Sequence, residues 1–200
     1  MRQDLFAAVA HDLKNELGWL ESALERSLTE PPSAHVELQQ MHQQCVRLRR
    51  RLVEFLTLYG HEKGSVQALA EACALKGFLQ EVAAESGHGK TTVALAAAPA
   101  FWVLDERLVS LALGAALDNA SKFARDEVRL GAQLRDGHLV LFVEDDGPGL
   151  GSGETPEGTG LGTEVARMVA AAHAGPGQQG DVRLFNRLEG GCRFELVLPP

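Results

Sequence analysis

The 200-residue sequence is short of several things, and each shortage excludes a class of protein. Cysteine occurs only at Cys45, Cys73 and Cys192, an odd count at wide spacing that suits neither a disulfide framework nor a zinc knuckle. The three read as small core residues in a reducing cytoplasm. Basic side chains are outnumbered 19 to 27, giving a formal net charge of −8. That balance argues against a nucleic-acid partner, because such binding neutralises phosphates with an excess of Lys and Arg. No run approaches the ~20 apolar residues that span a bilayer, so direct membrane insertion is not expected. The N-terminus, MRQDLFAAVAHDLKNELGW, lacks the basic start and apolar centre of a signal peptide. Against these absences stand 45% apolar and 23% charged residues, an ordinary globular composition in a length that suits one mid-sized domain or two small ones.

Glycine and proline are nearly missing from residues 1 to 62, where the only prolines are Pro31 and Pro32. Leu5, Val9, Leu13, Leu17, Leu20, Leu24 and Leu28 draw one apolar stripe along a helix roughly 40 Å long. The segment Thr29–Ser33 stops it, since proline disfavours helix at the residue before it and cannot donate to the ladder. A second stripe follows through Leu38, Met41, Cys45, Leu48, Leu52, Phe55 or Leu56, and Tyr59. Two long amphipathic helices on a short linker predict an antiparallel hairpin with uncovered apolar surface, and pairing two hairpins into a four-helix bundle would bury it. After residue 62 most of the glycine appears and the pattern shortens. Strands are predicted at 92–95, 101–104, 128–134, 139–144, 181–185 and 193–198, and helices at about 74–86, 106–123 and 161–173, with Asp105 capping the second. This order predicts an α+β two-layer sandwich, with helices on one face of a mainly antiparallel sheet. The expected division is a helical hairpin over 1–62 and an α+β unit over 63–200.

Three groups of residues carry chemistry. His11 falls about 165° from the centre of the first stripe, on the polar face, with Asp12 beside it and Lys14 and Asn15 on its side of the helix. A carboxylate next to an exposed imidazole can orient it or take its proton. A solvated histidine with no chemical role would look the same, and the remaining histidines show no ligand spacing. The second group is Val140–Gly149, an apolar strand ending in Asp145 and then the glycine turn Gly147-Pro-Gly149. A carboxylate there can accept from an amino group such as adenine's, and glycines let backbone approach a flat ring. Gly158-Thr-Gly160-Leu-Gly162 follows just before a helix, where backbone amides can hold phosphate. Either glycine cluster alone fits a structural turn better than a binding loop. The third group is Leu117–Phe123: Asn119 can offer an amide oxygen to Mg2+, and Lys122, one turn on, can reach phosphate. The run Arg47-Leu-Arg-Arg-Arg51 reads as a solvated helix face more readily than as a docking patch for an acidic partner.

The order of these motifs resembles the sensor histidine kinases. His11–Leu17 resembles their phospho-acceptor H-box, Leu117–Phe123 the N-box, Asp145–Gly149 and Gly158–Gly162 the two glycine boxes, and Gly190–Pro199 the closing strand. The resemblance implies a dimeric four-helix bundle joined to a Bergerat-type ATP-binding domain. It implies that His11 accepts the γ-phosphoryl group of ATP and passes it to an aspartate on a response-regulator receiver domain. Asp12 would be the general base, and Asn15 would stand where the family places a residue that helps dephosphorylate the partner. Asn119 would hold Mg2+, Lys122 would contact phosphate, Asp145 would read the adenine amino group, and Gly147, Gly149, Gly158, Gly160 and Gly162 would frame the nucleotide.

Four positions depart from the family pattern. Glu16 replaces a usual proline, which removes the usual cause of a kink. Ala115 replaces a polar N-box residue, which implies a lost metal or water contact. Leu150–Glu157 makes a very short lid, and Cys192 replaces a common threonine. Only ten residues precede His11, so the input is expected from a separate sensor protein, unless the chain is a fragment. Two other readings stand beside the kinase: a phosphorelay transfer protein with a degenerate, non-hydrolysing nucleotide fold, and a regulatory binding module without phosphotransfer.

Overall fold

The computed structural model describes residues 2–29, 35–63, 67–86, 91–95, 98–151, 160–175 and 177–200. Two 28-residue helices, α1 (Arg2–Thr29) and α2 (His35–Glu62), open the chain. Their contacts run in opposite directions along the two sequences: Phe6 meets Phe55 and Tyr59 edge-on, Glu16 pairs with Arg51, and Leu20 and Ala23 cluster with Met41. The hairpin is therefore antiparallel, as its stripes require. Helix α1 runs through Glu16 without interruption, as expected where proline is absent. One hairpin covers only part of its own apolar surface. Leu17, Leu24, Leu38, Leu52 and Leu56 stay exposed, and so does Cys45, which is not the core residue its place in the second stripe suggests. Of the three thiols only Cys73 is buried.

The rest is the two-layer sandwich. Its elements are β1 (Glu71–Ala74), α3 (Leu75–Glu85), β2 (Thr91–Ala94), β3 (Phe101–Leu104), α4 (Glu106–Phe123), β4 (Val128–Arg135), β5 (His138–Asp145), α5 (Leu161–Ala172), β6 (Asp181–Asn186) and β7 (Cys192–Leu198). Five strands form a sheet in the order β2-β4-β5-β7-β6, antiparallel except for the β2–β4 pair, and β1 and β3 make a separate ribbon. Fully buried leucines from α3, α4, β4, β5 and β7, together with Val165 and Val169 of α5, fill one core, and Val9 and Leu58 of the hairpin join it. Strand β7 also buries a carboxylate, Glu195, which Arg135 grips with both terminal nitrogens (3.1 and 2.6 Å).

Asp105 ties this layer together. Its Oδ1 accepts from the Leu108 N–H (3.0 Å), the N-cap bond expected of it, while Oδ2 accepts from the Leu69 N–H (2.9 Å). Burial alone works against its charge, but the N–H groups of Leu69 and Leu108 outweigh it and hold the carboxyl below its usual range. The Asp105 N–H donates to Nε2 of His173, whose Nδ1 lies 2.8 Å from the Val169 carbonyl. One of the histidines without ligand spacing is thus a strut between α5 and the start of α4. Asp105→Ala strands two N–H groups and is expected to cost about 2 kcal/mol in a urea titration.

Candidate functional site

Helix α4 and strand β5 bring together the residues expected to hold a nucleotide. Asn119 and Lys122 lie one turn apart on α4, both exposed. Strand β5 ends at Asp145, which is buried; its Oδ1 receives the N–H groups of Gly147 (2.9 Å) and Cys192 (3.3 Å). Two backbone donors on one oxygen fix the carboxylate and leave Oδ2 as an acceptor for an external donor. A Cβ at Gly147 would collide with the Phe123 carbonyl, so the glycine turn rests directly on the end of α4. Asp146 closes that junction, accepting from the N–H groups of Arg125 (2.8 Å) and Asp126. The Asp126 N–H and its neighbours hold this carboxyl below its usual range. Burial and the adjacent Asp145 charge push the Cys192 thiol up to about 11, so at neutral pH it is a protonated, inert side chain.

Gly162, of the second glycine box, meets the same helix about two turns earlier, at Ala115. Gly160 caps α5 in the left-handed conformation (φ 73°) and offers no side-chain acceptor to the first turn. Gly158 and the segment 152–159, most of the expected short lid, lie outside the described residues. A Cβ at Gly162 would come 2.9 Å from Cβ of Ala115. Ala115 is therefore more than the site of a lost polar contact: it is a buried small residue against which α5 packs. These features fit a nucleoside triphosphate, with a fixed buried carboxylate, a backbone cradle, an uncapped helix start and a cation one turn from an amide. Among the described residues no three His, Cys, Asp or Glu side chains converge on a metal position. Mg2+ that arrives with phosphates needs few protein ligands, and Asn119 is the residue expected to supply one.

The phospho-acceptor candidates form their own cluster on α1. The His11 side chain is 69% exposed, as the helical wheel requires. Its Nδ1 lies 3.2 Å from the Asn15 amide nitrogen and 3.9 Å from Asp12 Oδ1.

Two parts of the site carry no sequence signal of their own. The arginine run is not simply a solvated face. Arg51 pairs with Glu16, and Arg50 reaches Asp118 Oδ1 (2.6 Å) and the Gly114 carbonyl on α4 (3.4 Å). Helix α2 is thereby bolted to the residue beside Asn119. The second is Asn186-Arg187, at and just beyond the end of β6, which holds the Asp145–Leu150 turn; the Gly190-Gly191 pair before the last strand is the available hint of a tight turn there.

Residues 104–200 match the family of histidine kinase-, DNA gyrase B- and HSP90-like ATPases. The sensor protein kinase CarS of Pseudomonas aeruginosa is 32% identical over 215 aligned positions, covering 96% of this chain and 45% of CarS. The virulence sensor histidine kinase PhoQ of Salmonella typhimurium is 35% identical over 98 positions, 42% of this chain and 19% of PhoQ. The chain thus spans less than half the length of these relatives. Among solved structures, the Acinetobacter baumannii histidine kinase AdeS superimposes with a TM-score of 0.69 over 94% of this chain and 97% of that one, at 18% identity.

Proposed function

We infer the function of a chain that belongs to the sensor histidine kinases and carries their catalytic core: it takes the γ-phosphoryl group of ATP onto His11 and passes it to a response-regulator aspartate. The observation that carries this reading is the exposed His11 imidazole with its Nδ1 between Asp12 and Asn15. With the imidazole proton on Nδ1, on the side of Asp12, Nε2 keeps its lone pair and is the nucleophile. His11 Nε2 forms the N–P bond as the bond from the γ-phosphorus to its bridging oxygen breaks and ADP leaves. The imidazole proton goes to Asp12. Phosphoryl transfer asks little covalent chemistry of the protein beyond positioning and charge neutralisation. In an acidic chain that neutralisation must be local, from Lys122 and the amides at the start of α5. Mg2+, when bound with the phosphates and held by Asn119, supplies further positive charge. Asp145 accepts from the adenine amino group, the glycines give backbone access to the ring and phosphates, and Asn15 helps water dephosphorylate the partner's aspartate.

The exposed leucines of the hairpin are the surface for a second copy, completing a homodimeric four-helix bundle. We place the hairpin, 1–62, as the dimerisation and phosphotransfer domain and 63–200 as the ATP-binding domain, in the cytoplasm. A separate sensor protein is one source of the stimulus to which such a core responds. Among the described residues no helix is long and apolar enough to cross a membrane.

Incubation with γ-labelled ATP and Mg2+ tests the reading. Wild type is expected to take up acid-labile label, His11→Gln none, and Asp145→Ala none for want of nucleotide. Label persisting in His11→Gln would sink the assignment. A wild type that binds no nucleotide yet accepts label from a phosphorylated regulator would establish the transfer-protein reading instead.

A further inference from the structure

The glycine turn that follows Asp145 is held from below by the β6–β7 hairpin, at both ends. At its entry, Nη1 of Arg187 donates to the Asp145 carbonyl (3.0 Å). At its exit, the Leu150 N–H donates to Oδ1 of Asn186, and the Leu150 carbonyl accepts from Nδ2 (3.2 Å). Asn186 therefore satisfies both polar groups of one peptide residue, as a neighbouring strand would. The fit is close in between: a Cβ on Gly149 would lie 2.7 Å from Asn186 Oδ1, and the Cys192 N–H reaches Asp145 Oδ1. Asn186 pairs with Cys192 in the sheet register, and the Arg187 N–H donates to the Gly191 carbonyl (3.1 Å), so the clamp is built on a rigid hairpin. The guanidinium is mostly shielded from solvent, and its Nε lies 3.8 Å from Glu144 Oε1, which fixes its direction.

We propose that Asn186 and Arg187 are positioning residues that set the base preference of the nucleotide site by clamping both ends of the 145–150 turn. The proposal rests on Asp145 being the group that reads the base. A carboxylate accepts from the amino group of adenine and repels the carbonyl that guanine carries at the same place. Its power to discriminate depends on where it points. That direction is set by the turn Asp145 opens, whose entry Arg187 holds and whose exit, at Leu150, Asn186 holds. The groups assigned to the phosphates under the proposed function, Lys122 and the amides at the start of α5, lie outside this hairpin.

Calorimetric titration of the full chain with ADP and with GDP tests this. Asn186→Ala and Arg187→Ala are each expected to weaken ADP binding about tenfold and to narrow the ADP-over-GDP preference, while folding normally by circular dichroism. Arg183→Ala, which removes an exposed arginine of the same strand, is expected to change neither quantity. In Asn186→Ala the Leu150 amide is also expected to lose hydrogen-exchange protection without any nucleotide present. If an alanine variant does not fold, Asn186→Asp decides, because it keeps the acceptor for Leu150 and loses the donor. An ADP-over-GDP preference unchanged in the folded variants, with Asp145→Ala unable to bind ADP, would overturn the clamp alone. ADP binding that survives Asp145→Ala would overturn the underlying reading of Asp145, and the clamp's effect on base preference with it.

Discussion

Gly191→Ala is expected to cost at least about 3 kcal/mol of stability and to abolish adenine-nucleotide binding. Gly191 sits at φ 82°, a region that costs an L-residue energy by itself. Added to that, its Cβ would overlap the carbonyl oxygen of Asp145 and stand 3.0 Å from Cα of Asp146. Both obstacles are backbone at the end of a central strand, so neither can swing aside as a side-chain tip would. The collision displaces Asp145 itself, which is why binding falls with stability. Gly190 is the internal comparison. It also has positive φ (95°), but a Cβ there meets nothing within 4 Å. Gly190→Ala therefore carries the conformational term alone, about 1 kcal/mol. Urea titration of both variants separates the two contributions, and equal losses would show that the Asp145 contact is not what makes Gly191 obligatory.

Glu54→Gln is expected to flatten the pH dependence of stability between pH 4.5 and about 7. Glu54 is 4% exposed, on α2 between Arg50 and the hairpin's end, and its carboxyl is pushed up to about 7. Burial is the main cause, the Asp118 charge adds to it, and Arg50 and Arg51 only partly offset them. A carboxyl that holds its proton more tightly when folded favours the folded state fully below about pH 4.5. That contribution is lost as pH rises through about 7, where the buried group must ionise. The span corresponds to roughly 3 kcal/mol. A glutamine amide has no such proton to lose, so the variant should gain on wild type progressively across this range. Asp105 and Glu195, whose carboxyls are held low, act with opposite sign in both proteins and cancel in the comparison. A stability difference independent of pH would show that Glu54 is ionised in the fold throughout.

How much of the fold is legible in the sequence depends on the distance over which each feature is decided. Strand 101–104 and helix 106–123 are predicted at their observed bounds, because an apolar run, a cap and a 3.6-residue period are local facts. Strand β1 escapes prediction. Glu-Ala-Cys-Ala has no β-branched or aromatic residue and is a strand only because β3 lies beside it. His11, Asp145 and the glycines stand out because their spacing is the signal. Arg50 does not, because its partner is 68 residues away and nothing near Arg50 announces Asp118. Asn186 and Arg187 are invisible for the same reason: a polar pair at a strand end has meaning only once the turn it supports is in place.

The contact between Ala115 and Gly162 has a consequence for heredity. The two positions lie in separate motifs 47 residues apart in the numbering, yet they occupy one volume, since even a methyl at 162 would press on the methyl at 115. Substitutions at the two sites are therefore epistatic. A descendant that acquired a larger polar side chain at 115 would have to shift α5 or keep position 162 at its smallest, and one that enlarged 162 first would close that route.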